Sequence, residues 1–322
     1  TLQRPPRGET RHAEVHMTRH PIAPFAAAGQ WFKGNLHTHT TQSDGQLSLE
    51  EAIAWYRQRH YDFLAITDHW VLTPGRVVAP DFITLTGAEL HGQGYHLLSL
   101  GLQALPDRAL ADDPQATVGA VRAAGGLAFF AHPYWTAQRP AEMADITGYD
   151  GIEVYNSVCE EMDGLGYAHV HWDELLGRGR RLLGLAVDDV HWRPEHQAEG
   201  KGFVMVKAER LEERAILRAI ADGQFYASTG PRIEALTVLR DERGAPMLRV
   251  RCSPCRRITF YAHGPLGKRF KAQPGQWLDD ASLALRPEQV FVRVACEDGA
   301  GRIAWSNPLY VEDVLRGLEM RQ

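Results

Sequence analysis

The chain has 322 residues, 44% of them apolar and 23% charged, and a formal net charge of -5. This length admits one large α/β domain, alone or with a small second one, and the composition suits an ordinary core. The lack of a basic excess sets nucleic acid aside as a partner, and no apolar run is long enough to span a membrane.

Four cysteines, Cys159, Cys252, Cys255 and Cys296, are too few and too scattered for a disulfide framework. The lone Cys252-Ser-Pro-Cys255 pair reads as structural. A reducing cytoplasm fits best, although a chain beginning at Thr1 leaves room for a removed leader.

Residues 1–30 show no sustained period and read as an extended arm. From 31 to 231, short apolar runs alternate with amphipathic stretches. The pattern predicts strands at 32–38, 63–67, 82–87, 96–100, 127–131, 151–155, 182–187 and 203–206. Helices are expected at 49–59, 116–124, 167–177 and 211–221, the first opened by a Ser48/Glu51 capping box. Such alternation implies parallel strands in a wound or closed α/β architecture.

The texture changes after Gly230-Pro231. Short runs with period two, such as Arg249-Val-Arg-Cys252 and Val292-Arg-Val-Ala295, predict a small β-sandwich over 232–312. Residues 313–322 read as a short helix or tail.

The polar residues that end the apolar runs carry the chemistry. Asn35-Leu-His37-Thr-His39 closes the first expected strand. Asp68-His69, Glu89, His132 and Asp189-Val-His191 close others, and His96 opens one. In a parallel α/β barrel the C-terminal strand ends share one face, so residues distant in sequence converge there. Residues two apart in extended chain point the same way, so His37 with His39, and Asp189 with His191, can each grip one site.

Imidazole with carboxylate suits zinc, manganese or iron better than calcium or magnesium. Glu89 is the natural bridging carboxylate. His91 rivals His96, and Asp188 rivals Asp189. His12, His16 and His20 read as solvated, and His169 and His171 as packing or surface residues of a helix.

His37-Thr-His39-Thr, Ser43-Asp44-Gly45 and Thr67-Asp68-His69 are followed in order by Glu89, His96, Ala131-His132-Pro133 and Asp189-Val-His191. Together they resemble the motifs of the PHP (polymerase and histidinol phosphatase) domain over residues 34–231. The resemblance implies a distorted (β/α)7 barrel with a di- or trinuclear metal centre. One ion would take His37, His39, Glu89 and Asp189; a second Glu89, His96 and His132; a third Asp44, His69 and His191. Some family members carry His where this chain has Asp44. Residues 223–231 and Ala304-Trp-Ser-Asn-Pro308 are similar to PHP metallohydrolases of the carbaryl-hydrolase type, which implies an immunoglobulin-like tail.

The expected function is metal-dependent hydrolysis of a small-molecule phosphate ester, with two or three divalent ions (Mn, Zn or Fe). Glu89, Asp189 and His191 form the expected catalytic set. Arg76, Arg193 and Arg232 are candidates to orient the phosphate, and Tyr155 and Asn156 to line the pocket. Hydrolysis of a carboxyl ester, amide or carbamate at the same centre is the alternative, with Trp70, Tyr134, Trp135 and Trp192 as apolar walls. A metal-binding module without activity is the third reading.

Overall fold

A computed structural model describes Phe25 and residues 28–319. His12, His16 and His20, nearly all of the expected arm and the end of the expected tail lie outside the described residues.

The chain begins β1 (Gln30–Asn35), α1 (Leu49–Arg57), β2 (Phe63–Ala65), β3 (Val77–Ala79), β4 (Phe82–Leu85), β5 (Gly87–Gly92) and β6 (Tyr95–Leu100). It continues α2 (Pro114–Ala123), β7 (Leu127–Ala131), α3 (Pro140–Asp145), β8 (Gly151–Asn156), α4 (Ser157–Asp163), α5 (His169–Gly177) and β9 (Leu183–Val187). β10 (Phe203–Ala208), α6 (Glu213–Ala221) and β11 (Phe225–Ser228) complete this part. The α1 capping box forms: Ser48 Oγ accepts from Glu51 N, and Glu51 Oε2 accepts from Ser48 N at 2.9 Å. Ala52, Ile53 and Tyr56 then turn inward to the core.

These strands do not close into a (β/α)7 barrel. They divide between two sheets, one containing β10-β1-β2-β4-β3 and the other β5-β6-β7-β8-β9. Chain length between strands explains this. Only Thr86 separates β4 from β5, and only Gln93 and Gly94 separate β5 from β6. A parallel crossover takes about a dozen residues, so β5 and β6 pair as an antiparallel hairpin. β10 also runs antiparallel to β1. Parallel pairing survives in β1-β2-β4 and β7-β8-β9. Isolated bridges join the sheets beside the ligand segments: Thr38 with Val190, His69 with Glu89, and Thr73 with Gly87.

Next come β12 (Ile233–Arg240), β13 (Pro246–Cys255), β14 (Arg257–Ala262), β15 (Lys268–Lys271), β16 (Leu278–Ala284) and β17 (Phe291–Glu297). The last elements are β18 (Ile303–Ser306), β19 (Leu309–Tyr310) and α7 (Val311–Glu319). β12, β13 and β16 form a three-stranded sheet. It shares a core of Leu248, Val250, Ile258, Phe260, Val292 and Val294 with β14 and β17. α7 adds Val311 and Val314 to that core.

β18 pairs with β11, so one sheet is continuous across residue 231. The Asn307 side chain ties the open seam: Oδ1 accepts from Gly184 N in β9 at 3.0 Å, and Nδ2 donates to Phe225 O in β11 at 3.0 Å. All four cysteines are free and buried. Among the described residues no helix is long and apolar enough to cross a membrane.

Arg293 of β17 is fully buried and donates to both Asp173 oxygens of α5 at 2.6 and 2.7 Å. Its guanidinium lies against the Tyr261 and Trp172 rings. Removing one partner of a buried pair leaves an uncompensated charge. Asp173→Ala is therefore expected to cost about 3 kcal/mol, read as a lower midpoint in urea unfolding; an unmoved midpoint would show that the pair does not hold these parts together.

Candidate metal centre

The ligand-type residues sit just beyond strand ends, on irregular chain that regular pairing does not constrain. His37 and His39 follow β1, His69 follows β2, His132 follows β7, and Asp189 and His191 follow β9. Glu89 and His96 are exceptions. His96 lies near the start of β6, and Glu89 lies inside β5, a strand that begins at Gly87, where the sequence reading ended one. The backbone turns sharply at these points: His132, Asp189, Trp70 and Trp192 all have positive φ, at 28°, 53°, 53° and 62°. Left-handed backbone is costly for such residues and persists where surrounding structure enforces it.

Four ligand atoms meet in the buried centre. His37 Nε2 stands 3.1 Å from His39 Nε2, 3.2 Å from Glu89 Oε2 and 3.2 Å from Asp189 Oδ1. His39 Nε2 stands 3.3 Å from Glu89 Oε2 and 3.0 Å from Asp189 Oδ1. Ligands of one tetrahedral zinc-sized ion stand about 3.3 Å apart. Among the described residues none makes a well-aligned hydrogen bond to the buried Asp189 Oδ1, as suits an oxygen facing a cation. The donor set and this unsatisfied oxygen fit a divalent metal.

Two further clusters adjoin it. Glu89 Oε1 lies 2.8 Å from His96 Nδ1 and 3.2 Å from His132 Nε2, while Glu89 Oε2 lies 3.0 Å from His69 Nδ1. His69, Glu89 and His96 thus form one group able to hold an ion, and His39, Asp44, His69 and His191 form another. His69 and His39 each face two groups, a sharing absent from the expected ligand sets. His91 is outside all three groups, so His96 takes precedence over it.

Gly45 sets the outer cluster. A Cβ there would stand 2.6 Å from His39 C and 2.7 Å from His39 O, so only glycine lets the Ser43-Asp44-Gly45 turn fold back onto the His39 backbone. Asp68 pins the same turn by accepting from Thr40 N, Thr40 Oγ1 and Ser43 Oγ at 2.7, 2.7 and 2.6 Å.

Sequence reading missed Glu153. Fully buried in β8, it accepts from His37 Nδ1 at 2.6 Å. This fixes the proton on Nδ1 and leaves Nε2 free to bind metal. Its other oxygen accepts from His132 N and Asn156 Nδ2, both at 2.8 Å. Asn156 also donates to Asp189 Oδ2 at 3.0 Å, so it orients a ligand instead of lining the pocket.

Burial would lower the His39 imidazolium, but Asp189 and Glu89 outweigh it and push the pKa up to about 9. Burial would raise Asp189, yet neighbouring His37 holds it well below the carboxylate range. His69 is pulled down to about 4, chiefly by burial. Burial raises Asp188 to about 6. It accepts from Tyr56 OH, Gly200 N and Gly202 N and belongs to none of the ligand groups.

A cavity of about 230 Å³ opens over the centre. It is lined by Asp44, His69, Glu89, His96, His132, Asp189 and His191, by apolar Trp135, Val158, Cys159 and Met162, and by Arg193 and His196. Two larger depressions contain none of the candidate ligands. Of the expected arginines, only Arg193 lines the cavity. Arg76 pairs with Glu50, and Arg232 lies 3.8 Å from Glu234. Tyr155 is buried in the core beside Tyr167 and Trp305. Of the four expected aromatic walls, only Trp135 reaches the cavity.

No family profile matches the chain, and no curated protein matches it. Several solved structures are similar. One is a two-domain protein from Bacteroides vulgatus described as containing a predicted PHP-like metal-dependent phosphoesterase, at 14% identity and TM-score 0.49, covering 86% of this chain and 92% of that one. A proposed metal-dependent phosphoesterase from Bifidobacterium adolescentis is similar at 16% identity and TM-score 0.35, covering 50% and 89%. An amidohydrolase from Chromobacterium violaceum with bound sulfate and no metal is similar at 16% and 0.36, covering 51% and 89%.

Glu153→Gln removes the charge that orients His37, and metal affinity should fall by about 10- to 100-fold, measured by competition with a chelator. Affinity equal to wild type would make Glu153 a bystander. Gly45→Ala should also lower metal affinity, because its Cβ would press on the backbone of His39, a member of two groups, and shift Asp44 as well. Unchanged affinity in the same competition would show that the turn does not set these side chains.

Proposed function

We propose that the chain is a metal-dependent hydrolase that cleaves phosphoesters at the strand-end cavity. One observation carries this reading: three His/carboxylate groups adjoin one another beneath a small cavity that also receives Arg193. Divalent ions bound there would supply Lewis acidity and make a water more acidic. The chain's own residues do the remaining work. Glu89 offers one oxygen to each side and links the clusters. Asp189 carries negative charge into the buried centre. Arg193, 4.0 Å from Asp44 Oδ2, is placed to leave that weak pairing and orient a phosphate oxygen.

A second reading has its own support. Trp135, Val158 and Met162 give the cavity an apolar wall that suits a carboxyl ester or carbamate. The two readings separate on a panel of p-nitrophenyl phosphate, bis-p-nitrophenyl phosphate, p-nitrophenyl acetate and a p-nitrophenyl carbamate. The protein is reconstituted with manganese or zinc, and His37→Ala is the blank. Phosphate turnover lost in the blank is expected, with Arg193→Ala raising KM about tenfold. Turnover of acetate or carbamate alone would replace phosphoester cleavage with carbonyl hydrolysis. Silence on the whole panel, with metal still tightly bound, would favour a module without activity.

A further inference from the structure

We infer that His196 is the proton donor to the leaving oxygen. The inference rests on the hydrolase reading above and assigns a role that none of the candidate ligands can readily fill. A side chain bound to metal through its lone pair is poorly placed to deliver a proton as well. Hydrolysis of an unactivated ester nonetheless expels an alkoxide, which needs one.

Two cavity-lining histidines stand outside the three ligand groups: His132, whose Nε2 lies 3.2 Å from Glu89 Oε1, and His196, which has no such contact with a candidate ligand among the described residues. The His196 Nδ1 is buried and has no hydrogen-bond partner among the described residues. That nitrogen is closed to solvent, so the ring edge that lines the cavity is the one available to a substrate.

The loop carrying it is held firmly. At one end Trp192 Nε1 donates to His39 O at 2.9 Å. At the other, buried Asp188 accepts from Gly200 N and Gly202 N, both at 2.7 Å. Between them Ala198 packs on Val158 and Cys159 of α4, Ser157 Oγ donates to Ala198 O, and Lys201 pairs with Glu161. His196 N donates to Arg193 O at 2.9 Å, so the proposed phosphate-orienting arginine and the proton donor share one turn. Asp188, which is not a ligand, thereby acquires a purpose: it anchors the loop that brings His196 to the cavity.

The step balances. Water adds to phosphorus and gives up one proton to solvent. The P–O ester bond breaks with its electron pair on the alcohol oxygen. The His196 imidazolium protonates that oxygen and is reprotonated from solvent.

The test is leaving-group dependence. His196→Asn and His196→Gln would be compared with wild type on p-nitrophenyl phosphate, whose leaving group needs little help, and on an unactivated alkyl phosphate. The expected loss in kcat is about 10²-fold or more on the alkyl ester and only severalfold on the nitrophenyl ester. Metal content and the affinity for inorganic phosphate, read by calorimetry, should match wild type. Equal losses on both esters, or reduced metal content, would make His196 a structural residue and overturn the inference while leaving the hydrolase reading intact. A wild type silent toward every ester would bring down that reading and the proton donor with it.

Discussion

Five carboxylates, Asp68, Glu89, Glu153, Asp188 and Asp189, are buried around the site, and the surrounding structure is arranged to compensate them. An isolated charge in such a place would simply take up a proton. Here each acid has a distinct set of partners. Asp68, Glu153 and Asp188 accept hydrogen bonds from backbone N–H groups and neighbouring side chains. Glu89 and Asp189 face imidazole nitrogens across distances that suit a shared cation. Three acids therefore hold the scaffold and two face inward, and the scaffold fixes which is which.

Rigidity and reach are separated accordingly. The β-strands supply fixed points, and the irregular chain beyond them supplies the angles. Strands alone would send alternate side chains to opposite faces. The left-handed turns at His132 and Asp189 aim side chains where a pleated ladder cannot. Hydrogen bonds from His39 N to Val190 O, Asp189 N to His37 O, and Glu89 N to Thr67 O stitch these segments together without a continuous ladder.

The structure gathers His37, His39, Asp44, His69, Glu89, His96, Asp189 and His191 into adjoining groups, and close pairs such as HxH and DxH leave a local mark of this in sequence. The closure of the sheets was misread because residues 82–87 read as one strand, whereas the chain ends β4 at Leu85 and begins β5 at Gly87. A gap of one residue forbids a crossover, and no strong turn residue pair marks it in the sequence. Glu153 also left a signal. A carboxylate in the middle of Gly-Ile-Glu-Val-Tyr-Asn, within a strand buried on both faces, requires a partner. Arg76 and Arg232 stand beside Glu50 and Glu234 and do not line the cavity, because position after a strand or turn says nothing about which acid lies nearby. His196 has no spacing to betray it, since its place depends on how a loop docks against α4.

The pairing of β18 with β11 bears on how separable the two halves of the chain are. A boundary at residue 231 is visible as a change in texture, but the backbone hydrogen bonds run straight across it. A fragment ending there would present Phe225–Ser228 as an open strand edge. It would also lose the Asn307 amide that laces β9 to β11. The C-terminal half therefore acts as a splint, and evolutionary shuffling of the metal-binding half onto another partner would require a replacement strand along that edge.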